Sequence, residues 1–198
     1  FLFNQISTYQ RYLKRHFPEA PWRPAMFIKQ DGRGMVFAHR YKNFEVDVRH
    51  ESTHALLHAS LPVLPLWLDE GLAEYFEMPP ADRFAGHPHL PGIQWNLRVG
   101  KAPSMEQLER IDSVSQMEPA DYRDAWALVH FMLHGPTAAR EELVAYLADL
   151  QNYSPAGILS VRLRRKLPNL QSQLSLHFSS IEKGPDLPTP TNLLPSKA

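Results

Sequence analysis

Two prolines, Pro62 and Pro65, divide the stretch from Val46 to Phe76 into two helical segments. Proline inside a helix removes a backbone hydrogen bond and clashes with the preceding turn, so neither segment runs through the break. The pattern predicts one helix over 46–60 and a second over 66–76, with a linker short enough for a helical hairpin. The first segment carries His50-Glu51-Ser52-Thr53-His54, the pattern H-E-x-x-H. Helix positions i and i+4 lie ~40° apart in angle and one turn apart in height, so both imidazoles can reach one point. Zinc takes neutral imidazole nitrogens, and a catalytic zinc keeps three protein ligands and one water. Glu51, turned ~100° from His50, approaches such a water without filling a ligand position, which suits a general base.

A third ligand has three possible sources. A metzincin arrangement needs Gly at 57 and His at 60, where this chain has Leu57 and Ser60. A third histidine elsewhere stays open. The remaining source is a glutamate on the second helix. His54 precedes the end of the first helix by about six residues, and Glu70 follows the start of the second by about five, so both stand ~8 Å from the turn. If the helices fold back, Glu70 faces the two histidines.

The string His50-Glu51-x-x-His54, fifteen residues, then Glu70 within "WLDEGLAEYF" resembles the gluzincin zinc peptidases. "W-L-x-E-G-x-A" is similar to the metal-binding helix of the zinc aminopeptidases related to leukotriene hydrolase, and to the peptidase-MA-like domains of bacterial proteins. The resemblance implies one Zn2+ held by His50, His54 and Glu70, with Glu51 as the base. "DYRDAWALVHFML" (121–133) resembles the aminopeptidase stretch Y-x-K-G-a-x-x-L, whose tyrosine donates to the oxyanion; on that match Tyr122 takes the role, with Asp124-Ala125 where that family has Lys-Gly. The family's Gly-x-Met-Glu-Asn stretch, which binds a substrate N-terminus, has no counterpart in residues 30–48, so exopeptidase action has no support.

Glu74 lies one turn beyond Glu70 on the same face. Metal-bound histidines usually give their other N–H to a carboxylate or carbonyl, and Glu74 is assigned that orienting part. Asp69 precedes Glu70 and points ~100° away, toward capping or solvent. His58, ~12 Å from His50 along the helix, cannot share its metal. His87, His89, His130 and His134 stand alone, with His130 next after Tyr122 as an oxyanion donor.

The remaining chain reads as a helix over 2–17, strands at 25–30 and 35–41 around the turn "DGRG", a long proline-rich loop over 77–103, and helices at 104–111, 119–133, 137–150, 155–166 and 168–181. The strand near Met35–Tyr41 is expected at a sheet edge, open to an extended peptide. The fold class is α+β: a mostly helical, zincin-like domain over 1–182 with a small N-terminal sheet and the H-E-x-x-H helix at its centre. The proline-rich tail, 183–198, is expected to be disordered. Lys and Arg total 21, as do Asp and Glu, so charge gives no case for nucleic acid as a partner. The chain has no cysteine, which excludes thiol nucleophiles and disulfide scaffolds. No apolar run reaches the ~18 residues of a membrane span. A chain beginning at Phe1 reads as a mature fragment, secreted or in the cell envelope; otherwise it is cytoplasmic.

The function expected is zinc-dependent hydrolysis of a peptide or protein. The alternatives are an inactive, peptidase-like binding module that retains a metal site, and an amidase acting on cell-wall peptides.

Overall fold

The computed structural model describes residues 1–182. Its order is β1 (Leu2–Phe3), α1 (Ile6–His16), β2 (Ala25–Gln30), β3 (Arg33–His39), α2 (Phe44–Ser60), α3 (Leu66–Glu77), α4 (Leu90–Arg98), α5 (Met105–Leu108), a 3-10 turn (Val114–Gln116), α6 (Pro119–His134), α7 (Thr137–Gln151), α8 (Leu159–Lys166) and α9 (Leu170–Ser179). The chain is a mostly helical α+β fold with one three-stranded sheet among the described residues. None of the described helices is long and apolar enough to cross a membrane. The expected disordered tail lies outside the described residues.

The sheet is ordered β1-β3-β2. β2 and β3 pair antiparallel from Ala25↔Ala38 to Gln30↔Arg33. The two-residue loop between them has Asp31 at φ 51° and Gly32 at φ 75°. Two successive positive φ values are what a type I′ hairpin turn requires, and Asp-Gly is a preferred pair for it. β1 pairs parallel to β3, Leu2 opposite Ala38 and Phe3 opposite His39. This strand replaces the first turn of the helix expected from residue 2, so α1 starts at Ile6. It also makes β3 the central strand. The edge expected at Met35–Tyr41 is therefore paired at Ala38 and His39, and the edge strands of the sheet are β1 and β2. Tyr9, Leu13, Met26 and Phe37 form a small core between α1 and the sheet.

The larger core surrounds α6, whose residues Ala125 to Met132 are all buried. A capping box between Glu118 and Asp121 and a proline in the first turn fix its start. α2 lies between the sheet and α3, and α3 lies between α2 and α6. Gly71 makes the second contact possible: a Cβ there would stand 2.7 Å from the Ala125 carbonyl oxygen and 2.9 Å from Val129 Cγ2. Residues 77–103, read as a loop from their prolines, contain α4. Pro91 sits in its first turn, where a missing N–H breaks no bond, and Leu90 and Ile93 anchor it in the core.

Gly71→Ala should destabilise the fold by about 1–3 kcal/mol, the usual range for overpacking against a neighbour that cannot move aside. Urea unfolding measures this, and an unchanged midpoint would show that the helices separate freely.

A second expectation concerns acid. His130 is 0% exposed, with Nδ1 2.9 Å from His177 Nε2 and Nε2 2.9 Å from the Phe84 carbonyl. Burial lowers its pKa to about 3, below the 6.5 of a free histidine, and the positive charges of His177, His134 and His87 would act the same way. The folded state therefore holds His130 neutral. Its contribution is complete above pH 6.5 and is lost as pH falls from there toward 3, by at most ~1.4 kcal/mol per pH unit. Unfolding free energy from pH 7 to 5 should fall more steeply in the wild type than in His130→Gln; parallel curves would contradict the assignment.

Candidate metal centre

α2 and α3 run antiparallel, so each step along α3 moves backward along α2. Glu77, at the end of α3, meets His50; Glu70 lies between His50 and His54; Asp69, near the start, meets His54 and His58. One Glu70 oxygen, Oε2, is 3.6 Å from His50 Nε2 and 3.7 Å from His54 Nε2. The other ring nitrogens are taken by different carboxylates. His50 Nδ1 is 2.9 Å from Glu77 Oε2, and His54 Nδ1 is 2.9 Å from Asp69 Oδ1. Hydrogen bonds of this kind place a proton on Nδ1 and leave both Nε2 atoms facing Glu70.

His50, His54 and Glu70 could hold a metal ion, their ligand atoms all lying within 4.8 Å of one another. With bonds of about 2.0–2.1 Å, a tetrahedral ion separates its ligand atoms by about 3.3–3.4 Å. Both separations exceed that by only a few tenths of an ångström, so the three donors are spaced to hold a metal ion.

Burial opposes charge on His50, but the carboxylates of Glu70 and Glu77 outweigh it and raise its pKa well above the ordinary value. Asp69 is likewise buried, which favours the neutral acid, yet hydrogen bonds from His54 and His58 hold its carboxyl below the usual range. His58 reaches Asp69 Oδ2 with Nε2 at 2.8 Å. His58 thus stays off the triad and supports the residue that supports His54.

Glu51 projects from α2 toward the sheet, and its Oε2 accepts a hydrogen bond from the Phe27 N–H of β2 at 2.6 Å. Beside the triad lies a cleft of about 560 Å³, lined in part by Arg23, Glu74, His89, Met117 and Tyr122. Burial and the negative charge of Glu70 raise the Tyr122 hydroxyl to about 12, so it is a proton-bearing donor at neutral pH.

Glu74, expected to orient a metal-bound histidine, pairs its carboxylate with His89 Nε2 at 3.1 Å and has a carboxylate oxygen within 4.8 Å of a His50 ring nitrogen, while the hydrogen bonds to His50 and His54 Nδ1 come from Glu77 and Asp69. The reason is the antiparallel crossing: Glu74 faces the loop returning before α4, while Asp69 turns along α2 rather than toward solvent. His87 joins the same region. Its Nε2 lies 3.1 Å from the Glu74 carbonyl, and its ring stacks on Trp126 at 4.4 Å. His130 is buried in the core, whereas His134 is exposed at the end of α6 and meets the Tyr75 hydroxyl at 2.7 Å. The spacing His87-Pro88-His89 was the only local signal for the first pair, and nothing in it shows that the loop returns to α3.

One divalent ion per chain is expected by elemental analysis after dialysis, and none in His54→Ala. Asp69→Asn should weaken metal affinity by about 10- to 100-fold, the range for partners of metal-bound histidines. Full metal content in His54→Ala would remove these residues from the centre.

No curated protein and no solved structure matches the chain. Residues 46–156 match the family described as "Protein of unknown function (DUF1570)". That segment runs from within α2 to the residues after α7, and it includes all three candidate ligands, Glu51 and Tyr122. The match spans more than half of the 198 residues, and the chain belongs to the DUF1570 family.

Proposed function

We propose that this chain is a zinc-dependent metallopeptidase of gluzincin type, hydrolysing peptide bonds in a peptide or protein. The observation that carries the reading is the convergence of His50 Nε2 and His54 Nε2 on Glu70 Oε2, with both Nδ1 atoms already held by carboxylates. A zinc ion held by these three residues supplies a Lewis acid that activates water and polarises a carbonyl. Glu51 stands next to His50 on α2 and outside the ligand set, where it takes the proton from the attacking water. The same carboxyl then returns that proton to the leaving amine. Tyr122, on α6, donates its hydroxyl hydrogen to the oxyanion, and a pKa of about 12 keeps that hydrogen in place. An amide in a cell-wall peptide presents the same carbonyl and leaving nitrogen, and it falls within the same chemistry.

The hydrogen bond from Phe27 N–H to Glu51 favours a second reading: a binding module that retains its metal, with Glu51 joining helix to sheet.

One experiment separates the two. Glu51→Gln retains a hydrogen-bond acceptor for Phe27 and removes the base. On the peptidase reading it keeps metal and melts near the wild type, while cleavage of a quenched-fluorescent peptide library falls by about 100- to 10,000-fold. Tyr122→Phe should lower kcat by about 100- to 1,000-fold with little change in KM, as expected for a donor engaged mainly in the transition state. Wild-type protein with full metal that cleaves nothing in the library would support the binding module instead.

A further inference from the structure

The cleft beside the triad has one charge without a partner. Glu74 is paired with His89, and Glu70 lies between two histidines. Val114, Met117 and Pro119 give the wall an apolar surface. Arg23 also lines it, and among the described residues its guanidinium forms no hydrogen bond or ion pair.

Its mounting is rigid. Pro21 and Pro24 flank it and fix two backbone angles. The buried Tyr9 donates its hydroxyl to the Arg23 carbonyl at 2.9 Å. Trp22 packs edge-on against Tyr9 and lies parallel to the His39 ring. The main chain is therefore clamped to the small core while the side chain extends into the cleft. Its positive charge also acts on the Tyr122 hydroxyl, opposing the carboxylates there. A guanidinium offers donors in a planar fork that matches a carboxylate, and the held main chain keeps that fork within reach of the cleft.

We propose that Arg23 is the specificity residue of this cleft and receives a carboxylate of the substrate, which makes the substrate class peptides with an anionic group close to the scissile bond. The proposal rests on the peptidase reading above. The carboxylate has two possible sources: the C-terminus of a short peptide, or an aspartate or glutamate side chain within a longer one.

The test uses the full-length, metal-loaded Glu51→Gln protein, so that bound peptide is not consumed, and reads binding by fluorescence anisotropy. Four labelled peptides share one framework: internal Ala with a free C-terminus, internal Ala with a C-terminal amide, internal Glu with the amide, and internal Gln with the amide. One acidic peptide should bind about 10- to 100-fold more tightly than its neutral partner, the range for a charge-assisted pair. The peptide that shows the preference identifies the source. Adding Arg23→Gln should abolish the preference, and Arg23→Lys should restore only part of it; metal content and Tm verify that both variants fold. Equal binding of acidic and neutral peptides, or a preference that survives Arg23→Gln, overturns the assignment of Arg23 and leaves the peptidase reading standing. Absence of binding by all four peptides, together with absence of cleavage by the wild type, overturns both.

Discussion

A carboxylate removed from water must be compensated, and α3 carries four of them into the interior of this protein. Asp69 and Glu70 are each 7% exposed, and Glu74 and Glu77 are little more open. Leaving one such charge unpaired costs several kcal/mol, and pairing alone seldom does more than break even. Here each acid faces an imidazole: Asp69 takes His54 and His58, Glu70 lies between His50 and His54, Glu74 takes His89, and Glu77 takes His50. The histidines of α2 therefore do more than mark a motif. Together with His89 they compensate the acids that α3 buries, and a cation among them would serve the same electrostatic requirement.

Much of this was legible in the sequence because it is local. Helical spacing brings His50 and His54 to one face, and two prolines set the hairpin that brings Glu70 to them. Asp-Gly marks the turn between β2 and β3. What escaped was whatever depended on how the helices cross. Glu74 and Asp69 were assigned from angles around α3 alone, whereas their partners are chosen by the direction in which α2 passes. β1 is two residues long and has no pattern of its own; only pairing with β3 makes it a strand. In α4, a proline that reads as a break is the residue that starts the helix.

The family match and the structure divide the molecule at nearly the same place. Residues 46–156 contain the candidate ligands, Glu51 and Tyr122, whereas the sheet, α1 and Arg23 precede them. The two parts meet along α2, which packs on β2 and β3 and whose Glu51 carboxylate reaches the Phe27 N–H of β2. On the peptidase reading proposed above, the ligands and the base stand in the helical part, and Arg23 brings the N-terminal part to the cleft.

The contact at Gly71 bears on tolerance to sequence drift. Where two helices touch through side chains, each change of residue resets their separation by fractions of an ångström. Where they touch through main chain, the separation is set by peptide geometry, which substitution elsewhere in the core leaves alone. Glu70 adjoins Gly71 in sequence, and Tyr122 lies one turn before Ala125 on the facing helix. The span between the Glu70 carboxylate and the Tyr122 hydroxyl therefore depends on one close approach of Gly71 to the Ala125 main chain and the Val129 side chain.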